Sequence, residues 1–241
     1  MLSNIDLYKI LFLDIETVPI KKNYDELDDN FKVLWDKKAD KIARFENIVD
    51  ANSDEVYERA GIYAEFGKII CISVGFIVNS YNENEFRVKS FYGDDEKEIL
   101  LDFKNLLDKH YNTKEHLLCG HNAKEFDYPY ILRRMIINGV EIPHILNIAG
   151  KKPWEVNLLD SMELWKFGDY KSYTSLELLA TILNIKTPKD DICGKDIAKV
   201  YWEEKDLERI VKYCEKDVLT VAQIILRFCG KNILEKVVSI K

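Results

Sequence analysis

Asp14 and Glu16 stand two positions apart at the end of an apolar run, in the stretch LFLDIETVP. Side chains at i and i+2 of a strand point to the same side, so both carboxylates can aim at one point beyond the strand's C-terminal edge. Two anions so close repel unless something positive lies between them. A divalent cation meets that need, and oxygen-only ligands suit Mg²⁺ or Mn²⁺ rather than zinc or copper. A third acid, Asp127, lies in GHNAKEFDYPY, where a strand gives way to a helix. A fourth, Asp217, lies on a C-terminal helix with the apolar stripe Leu207, Val211, Cys214, Val218, Val221, Ala222 and Ile225. At roughly 100° per residue, Asp217 falls ~80° from the centre of that stripe and Tyr213 ~120°. Tyr213 and Asp217 are i and i+4 neighbours on the helix surface. Each residue also has an ordinary reading. A strand end releases acids to solvent, Asp127 is a good helix cap, Asp217 is a partly solvated acid near Lys212 or Lys216, and Tyr213 packs with its hydroxyl in water.

The elements that must hold these groups are readable from periodicity. Tyr8–Leu13 is a nearly continuous apolar run, as in a strand covered on both faces. Residues 21–60 are heavily charged, with apolar residues at helical intervals (Phe31, Leu34, Trp35, Ile42, Phe45). This predicts an insertion of about two helices, the second capped by Ser53 or Asp54. Lys68–Val78 and the alternating FRVKSFYG predict a hairpin. DDEKEILLDFKNLLDKHY is an amphipathic helix with acids at its start. A short strand follows at His116–Asn122, then a helix at FDYPYILRRMIINGV with Pro129 in its first turn. A last short strand is expected around Leu158–Leu164. Everything after Ser175 has a helical pattern. The order predicts a mixed α/β sheet with helices on its faces.

With 42 acidic and 35 basic residues, the net charge of −7 argues against coating nucleic acid through bulk charge. It leaves open an enzyme that meets a phosphodiester through bound metal. No apolar run approaches the roughly 20 residues of a membrane span. MLSNIDLYK lacks the pattern of a signal peptide. The five cysteines (Cys71, Cys119, Cys193, Cys214, Cys229) form no C-x-x-C pair and read as reduced thiols of a cytoplasmic protein.

DIET after an apolar strand, HNAKEFDYPY and YCEKD resemble the three exonuclease motifs of the DEDD 3′–5′ exonuclease superfamily, in particular those of the exonuclease domain of family B DNA polymerases. LLDSMELW, SLELLATILNI and YCEKDVLTV are similar to that group's pattern. The likeness covers most of Ile10–Phe228 apart from the charged insertion. One branch of the superfamily has a histidine five positions before the last Asp, which here is Lys212. The other has a tyrosine four positions before it, here Tyr213, so the chain resembles the tyrosine branch (DEDDy).

The resemblance implies a ribonuclease H-like mixed five-stranded sheet flanked by helices, with a helical insertion after the first strand, in a single exonuclease domain spanning 1–241. It implies two divalent cations, Mg²⁺ or Mn²⁺, about 4 Å apart. Asp14 would bridge them, Glu16 and Asp217 would complete the first, and Asp127 would help hold the second. Tyr213 would orient the attacking water. Asn122 would hydrogen-bond the terminal nucleotide, with Thr17, Val18 and Phe126 around it. Arg133, Arg134, Lys166 and Lys171 are either phosphate contacts or solvated surface residues. The implied activity is 3′–5′ hydrolysis of single-stranded DNA ends to nucleoside monophosphates. No polymerase region follows the third motif, so the enzyme would act alone or in trans. Two alternatives stand beside it: an exoribonuclease, and a non-catalytic nucleic-acid-binding module of the same fold. The insertion at 21–60 would be a lid, a protein-partner surface or decoration.

Overall fold

A computed structural model describes residues 5–46, 52–80, 83–152, 155–169, 173–186 and 192–240. The first strand, β1 (Ile10–Pro19), is central and alternates its packing. Leu11, Leu13 and Ile15 enter one core, and Ile10 and Phe12 enter the core on the opposite face. Two helices follow, α1 (Asp29–Glu46) and α2 (Ser53–Tyr57). The hairpin comprises β2 (Gly67–Ser80) and β3 (Glu83–Tyr92). Next come α3 (Glu96–His110), β4 (Leu117–Gly120) and α4 (Asp127–Ile137). Then β5 (Leu158–Asp160), α5 (Ser161–Lys166), α6 (Leu176–Ile182) and a single turn, α7 (Ile197–Lys199), lead to α8 (Leu207–Phe228).

The expected count of five strands is corrected to six by β6 (Lys236–Ser239). It pairs parallel to β3 at the sheet's edge, and all four of its residues are exposed. A strand with no buried face has no alternation to read, which is why this segment passed as helical. The order is β5-β4-β1-β2-β3-β6. The hairpin and β1 run antiparallel, while β4 and β5 run parallel to β1. This mixed sheet with helices on both faces is consistent with a ribonuclease H-like exonuclease fold. Helices α3 and α4 cover the Leu11–Leu13–Ile15 face. Helix α8 covers the other, through Val218, Val221, Ala222, Ile225 and Leu226. Among the described residues no helix is long and apolar enough to cross a membrane.

The insertion forms its own small core. Trp35 is fully buried among Leu27, Ala39, Ile42, Val56, Tyr57 and Phe66. Its indole Nε1 donates to the Ser53 carbonyl at 2.8 Å, joining α1 to α2. The buried stripe of α1 is therefore Trp35–Ala39–Ile42, and two residues expected in it, Leu34 and Phe45, are exposed. The cap of α2 is Asn52 rather than Ser53 or Asp54. Its side chain accepts from Glu55 N while Glu55 reaches back to Asn52 N, forming a capping box. The insertion rejoins the sheet through Gly61, whose carbonyl accepts from Thr17 Oγ1 and from Tyr130 Oη, both at 2.8 Å. Gly67 is required there, since a Cβ would lie 2.2 Å from the Tyr130 hydroxyl.

Arg134 is a structural residue of α4 in this fold. Its guanidinium is buried against Glu96 of α3, with Nε to Oε1 at 2.8 Å, and Nη1 donates to the Ala64 carbonyl at 2.9 Å. Glu96 also accepts from Ile69 N of β2 and from Asn138 Nδ2. Two helices, a strand and a loop meet at this one ion pair. Arg133, one residue earlier, is exposed. Lys166 is partly exposed, and Lys171 lies outside the described residues.

Candidate active site

The two acids of LFLDIETVP sit within β1, which runs on to Pro19, and not at its end. They occupy the Ile10–Phe12 face, paired with Ser73 and Cys71 of β2. A register shift follows immediately, between Glu16 and Thr17. Such a bulge inserts a residue, bends the strand and re-aims the side chains beside it. Glu16 is buried, and Asp14 is partly exposed.

Asp127 arrives from the neighbouring helix. The pairing of β4 with β1 stops at Phe12, so the β1 backbone beyond it has an open edge. The Ile15 N–H donates into that edge, to Asp127 Oδ1 at 3.1 Å. Asp127 is the first residue of α4 and not its cap. The cap position is Phe126, which makes no side-chain capping bond. The loop that delivers Asp127 is tight. A Cβ at Gly120 would fall 2.5 Å from Ala123 Cβ, and Asn122 adopts φ +57°. A buried carboxylate that sequence reasoning did not single out, Asp160 at the end of β5, holds this loop. It accepts from Asn122 N and Lys124 N, both at 3.0 Å, and caps α5 through Met162 N. An acid just ahead of a helix was the available signal.

Helix α8 supplies the remaining groups. Tyr213 and Asp217 are both partly exposed, and the tyrosine hydroxyl hydrogen-bonds the Asp217 carboxylate. Cys214 is fully buried, with Sγ 3.4 Å from Asp14 Oδ2 and 3.4 Å from the Asp14 carbonyl. The ligand atoms of Asp14, Glu16 and Cys214 lie within 4.8 Å of one another. A surface cavity of about 800 Å³, lined by Tyr92, Glu208, Lys212 and Glu215 among others, lies elsewhere. Helical spacing puts its α8 residues on the flank opposite Tyr213 and Asp217.

The electrostatics show how closely the acids converge. Burial, then Asp127, Glu16 and Asp217, hold Asp14 well above the usual carboxylate range. Burial, then Asp217, does the same for Glu16. Burial pushes Asp127 up to about 7, against the opposing hydrogen bond from Ile15 N. Burial and the nearby Asp217, Glu16 and Asp14 raise the Tyr213 hydroxyl, so it stays protonated at neutral pH. Burial leads each of these shifts, and neighbouring carboxylates add to every one. A hard divalent cation is the species whose arrival would relieve them, and four carboxylates are its ordinary donor set.

The family assignment agrees with this chemistry. Residues 62–233 match the model of a family described as a predicted 3′–5′ exonuclease related to the exonuclease domain of PolB. The chain belongs to this exonuclease family. The matched segment spans over half of the chain and contains Asp127, Tyr213 and Asp217. It opens at Ile62, so the exonuclease match does not include Asp14 and Glu16, which the fold brings to the same place. Among curated proteins none matches the chain. A nucleic-acid substrate and nuclease chemistry follow from membership.

The raised carboxylates carry a pH prediction. A folded-state pKa above the unfolded one means that the native state binds more protons between the two values. For Asp127 that window runs from about 4 to about 7, and metal-free stability contributed by the site falls as pH rises through it. A divalent cation held by these carboxylates would favour the ionised form, so the stabilisation it gave would grow over the same window. The rise in Tm on adding Mg²⁺ is expected to be near zero at pH 5 and several degrees, ~4–8 °C, at pH 8. Thermal unfolding with and without the ion at four pH values checks this.

Proposed function

We propose that this chain is a metal-dependent 3′–5′ exonuclease of the tyrosine branch that removes nucleoside monophosphates from single-stranded DNA 3′ ends. One observation carries the reading. Beyond burial, Asp127 of α4, Glu16 of β1 and Asp217 of α8 all raise the Asp14 carboxyl, Asp217 also raises Glu16 and Asp127, and Tyr213 is hydrogen-bonded to Asp217 beside them. The four carboxylates would hold two divalent cations, Mg²⁺ or Mn²⁺. Bound there, the cations would supply a water of lowered pKa and positive charge for the developing phosphate charge.

The chain's own residues have distinct tasks. Tyr213 is a poor general base with its pKa raised, so its hydroxyl orients water by hydrogen bonding. Asn122 Oδ1 is buried without a partner, and it would accept a hydrogen bond from the terminal nucleotide. Phe126, partly exposed and packed on Tyr130 at 5.4 Å, would flank that nucleotide. Thr17 donates its hydroxyl to Gly61 and offers its remaining surface. Val18 is fully buried with Ile70 and Ile197, so its side chain supports the pocket from behind. DNA is preferred over RNA on the likeness to a DNA polymerase domain. The single-domain organisation over 1–241, with 21–60 as a charged helical insertion, completes the proposal.

Tyr213→Phe removes one oriented hydrogen bond and keeps the ring. A loss of about 10- to 100-fold in kcat is expected, with KM little changed. The reading itself is tested by 5′-labelled single-stranded DNA, duplex DNA and single-stranded RNA, each with Mg²⁺, Mn²⁺ or chelator. A ladder shortening from the 3′ end of single-stranded DNA supports it. A ladder on RNA alone selects the exoribonuclease, and binding without cleavage selects the non-catalytic module.

A further inference from the structure

Cys214 reads from sequence as one more apolar residue in the stripe of α8, and a carboxylate centre reads as oxygen-only. The structure joins the two. Cys214 Sγ lies 3.4 Å from Asp14 Oδ2, and the ligand atoms of Asp14, Glu16 and Cys214 are mutually within 4.8 Å. We propose that Cys214 is a latent sulfur ligand of this centre, so that the site captures thiophilic divalent cations such as Zn²⁺, Cd²⁺ or Co²⁺ through one thiolate and two carboxylates.

Three observations support it. First, the carboxylates of Asp14 and Glu16 lie within 4.8 Å of each other, and a divalent cation between them relieves their repulsion, independently of any sulfur. Second, three atoms within 4.8 Å of one another share a point no more than about 2.8 Å from each. Bonds of ~2.3 Å from sulfur and ~2.0–2.2 Å from carboxylate oxygen are reached from there by small side-chain rotations. Third, the thiol is directed at the centre by the fold. Cys214 is fully buried between α8 and β1, and its Sγ contacts Asp14. The second thiol, Cys71, packs behind it and contacts Ser73 Oγ at 3.5 Å.

The exchange balances simply. In the metal-free protein the S–H donates to Asp14. When a soft cation enters, the S–H bond breaks, the proton leaves to buffer, and the sulfur lone pair is shared with the metal. Mg²⁺ and Mn²⁺ prefer oxygen and use the same carboxylates without the sulfur. The two kinds of cation therefore compete, and Zn²⁺ would occupy the site in a form unlike that of Mg²⁺. This last consequence rests on the exonuclease reading; the sulfur ligation does not.

The test is a Co²⁺ titration of the metal-free full chain, followed in the near ultraviolet. A sulfur-to-cobalt charge-transfer band is expected, absent in Cys214→Ser and kept in Cys71→Ser. Competition with Co²⁺ should show Zn²⁺ affinity weakened about 10-fold or more in Cys214→Ser, with Mn²⁺ affinity changed less than about threefold. X-ray absorption of the Zn²⁺-loaded wild type reads sulfur in the shell directly, and so needs no variant to fold. Cobalt binding without the band, a band that survives Cys214→Ser, or a zinc shell without sulfur would each overturn the proposal. In the same preparations, Zn²⁺ should inhibit Mg²⁺-supported degradation of single-stranded DNA, less so in Cys214→Ser. A band with no degradation of any nucleic acid sinks the exonuclease reading and leaves the sulfur ligand standing. Degradation without a band does the reverse.

Discussion

Asp14→Ala is expected to slow 3′-end degradation by about 10³-fold or more and to leave the protein folded. Asp14 is the group on which the centre converges. Asp127, Glu16 and Asp217 all raise it, and Cys214 donates to it. Removing it takes away a proposed ligand shared by both cations. The effect on stability runs the other way from most buried substitutions. In chelator the acids repel one another, so one fewer anion should leave Tm unchanged or raise it. Rates on a 5′-labelled oligonucleotide and thermal unfolding in chelator measure the two effects separately. Wild-type rates would remove Asp14 from the site. A large loss of Tm would mean that its role is structural.

Arg134→Ala should destabilise the fold by about 3–5 kcal/mol, the usual cost of leaving a buried charge uncompensated. Glu96 would be left buried with only neutral donors, Ile69 N and Asn138 Nδ2. The Ala64 carbonyl would lose its guanidinium partner as well. Glu96→Gln combined with Arg134→Met removes both charges and keeps an acceptor for Ile69 N, so it should recover part of the loss. Denaturant unfolding of the single and double variants reads this directly. Because α4 also carries Asp127, the single variant should lose activity at temperatures where it begins to unfold. At low temperature its KM for DNA should stay near wild type, in contrast to a phosphate-contact role.

The residues that the structure brings together were partly legible in the sequence, as were most of the elements that carry them. The Tyr213–Asp217 pair and the α8 stripe were readable because an amphipathic helix shows its buried face as a 3.6-residue period. The Asp14–Glu16 pair was readable as a same-side pair, but its setting was not. A strand end and a bulge both put polar residues after an apolar run, and only tertiary pairing separates them. Asp127 read as a cap because Asp is common at helix starts. The early stop of β4, which frees the Ile15 N–H, depends on contacts 112 residues apart. Arg134 was misjudged because composition assigns a charged side chain to the surface, while its partner Glu96 holds this one in the interior. Cys214 took its expected place in the buried stripe, and its contact with Asp14 is a tertiary one that no stripe reveals. Strand β6 has no buried face, so it left no pattern to find.

The central claim is that Asp14, Glu16, Asp127 and Asp217 form one divalent-cation centre. Titration of the metal-free chain with Mn²⁺, with the free ion counted by electron paramagnetic resonance, addresses it most directly. The account predicts two Mn²⁺ bound per chain, competed by Mg²⁺, and loss of both sites in Asp14→Ala. A wild-type protein that leaves all Mn²⁺ free at millimolar concentration, or an Asp14→Ala variant that binds as the wild type does, would contradict it.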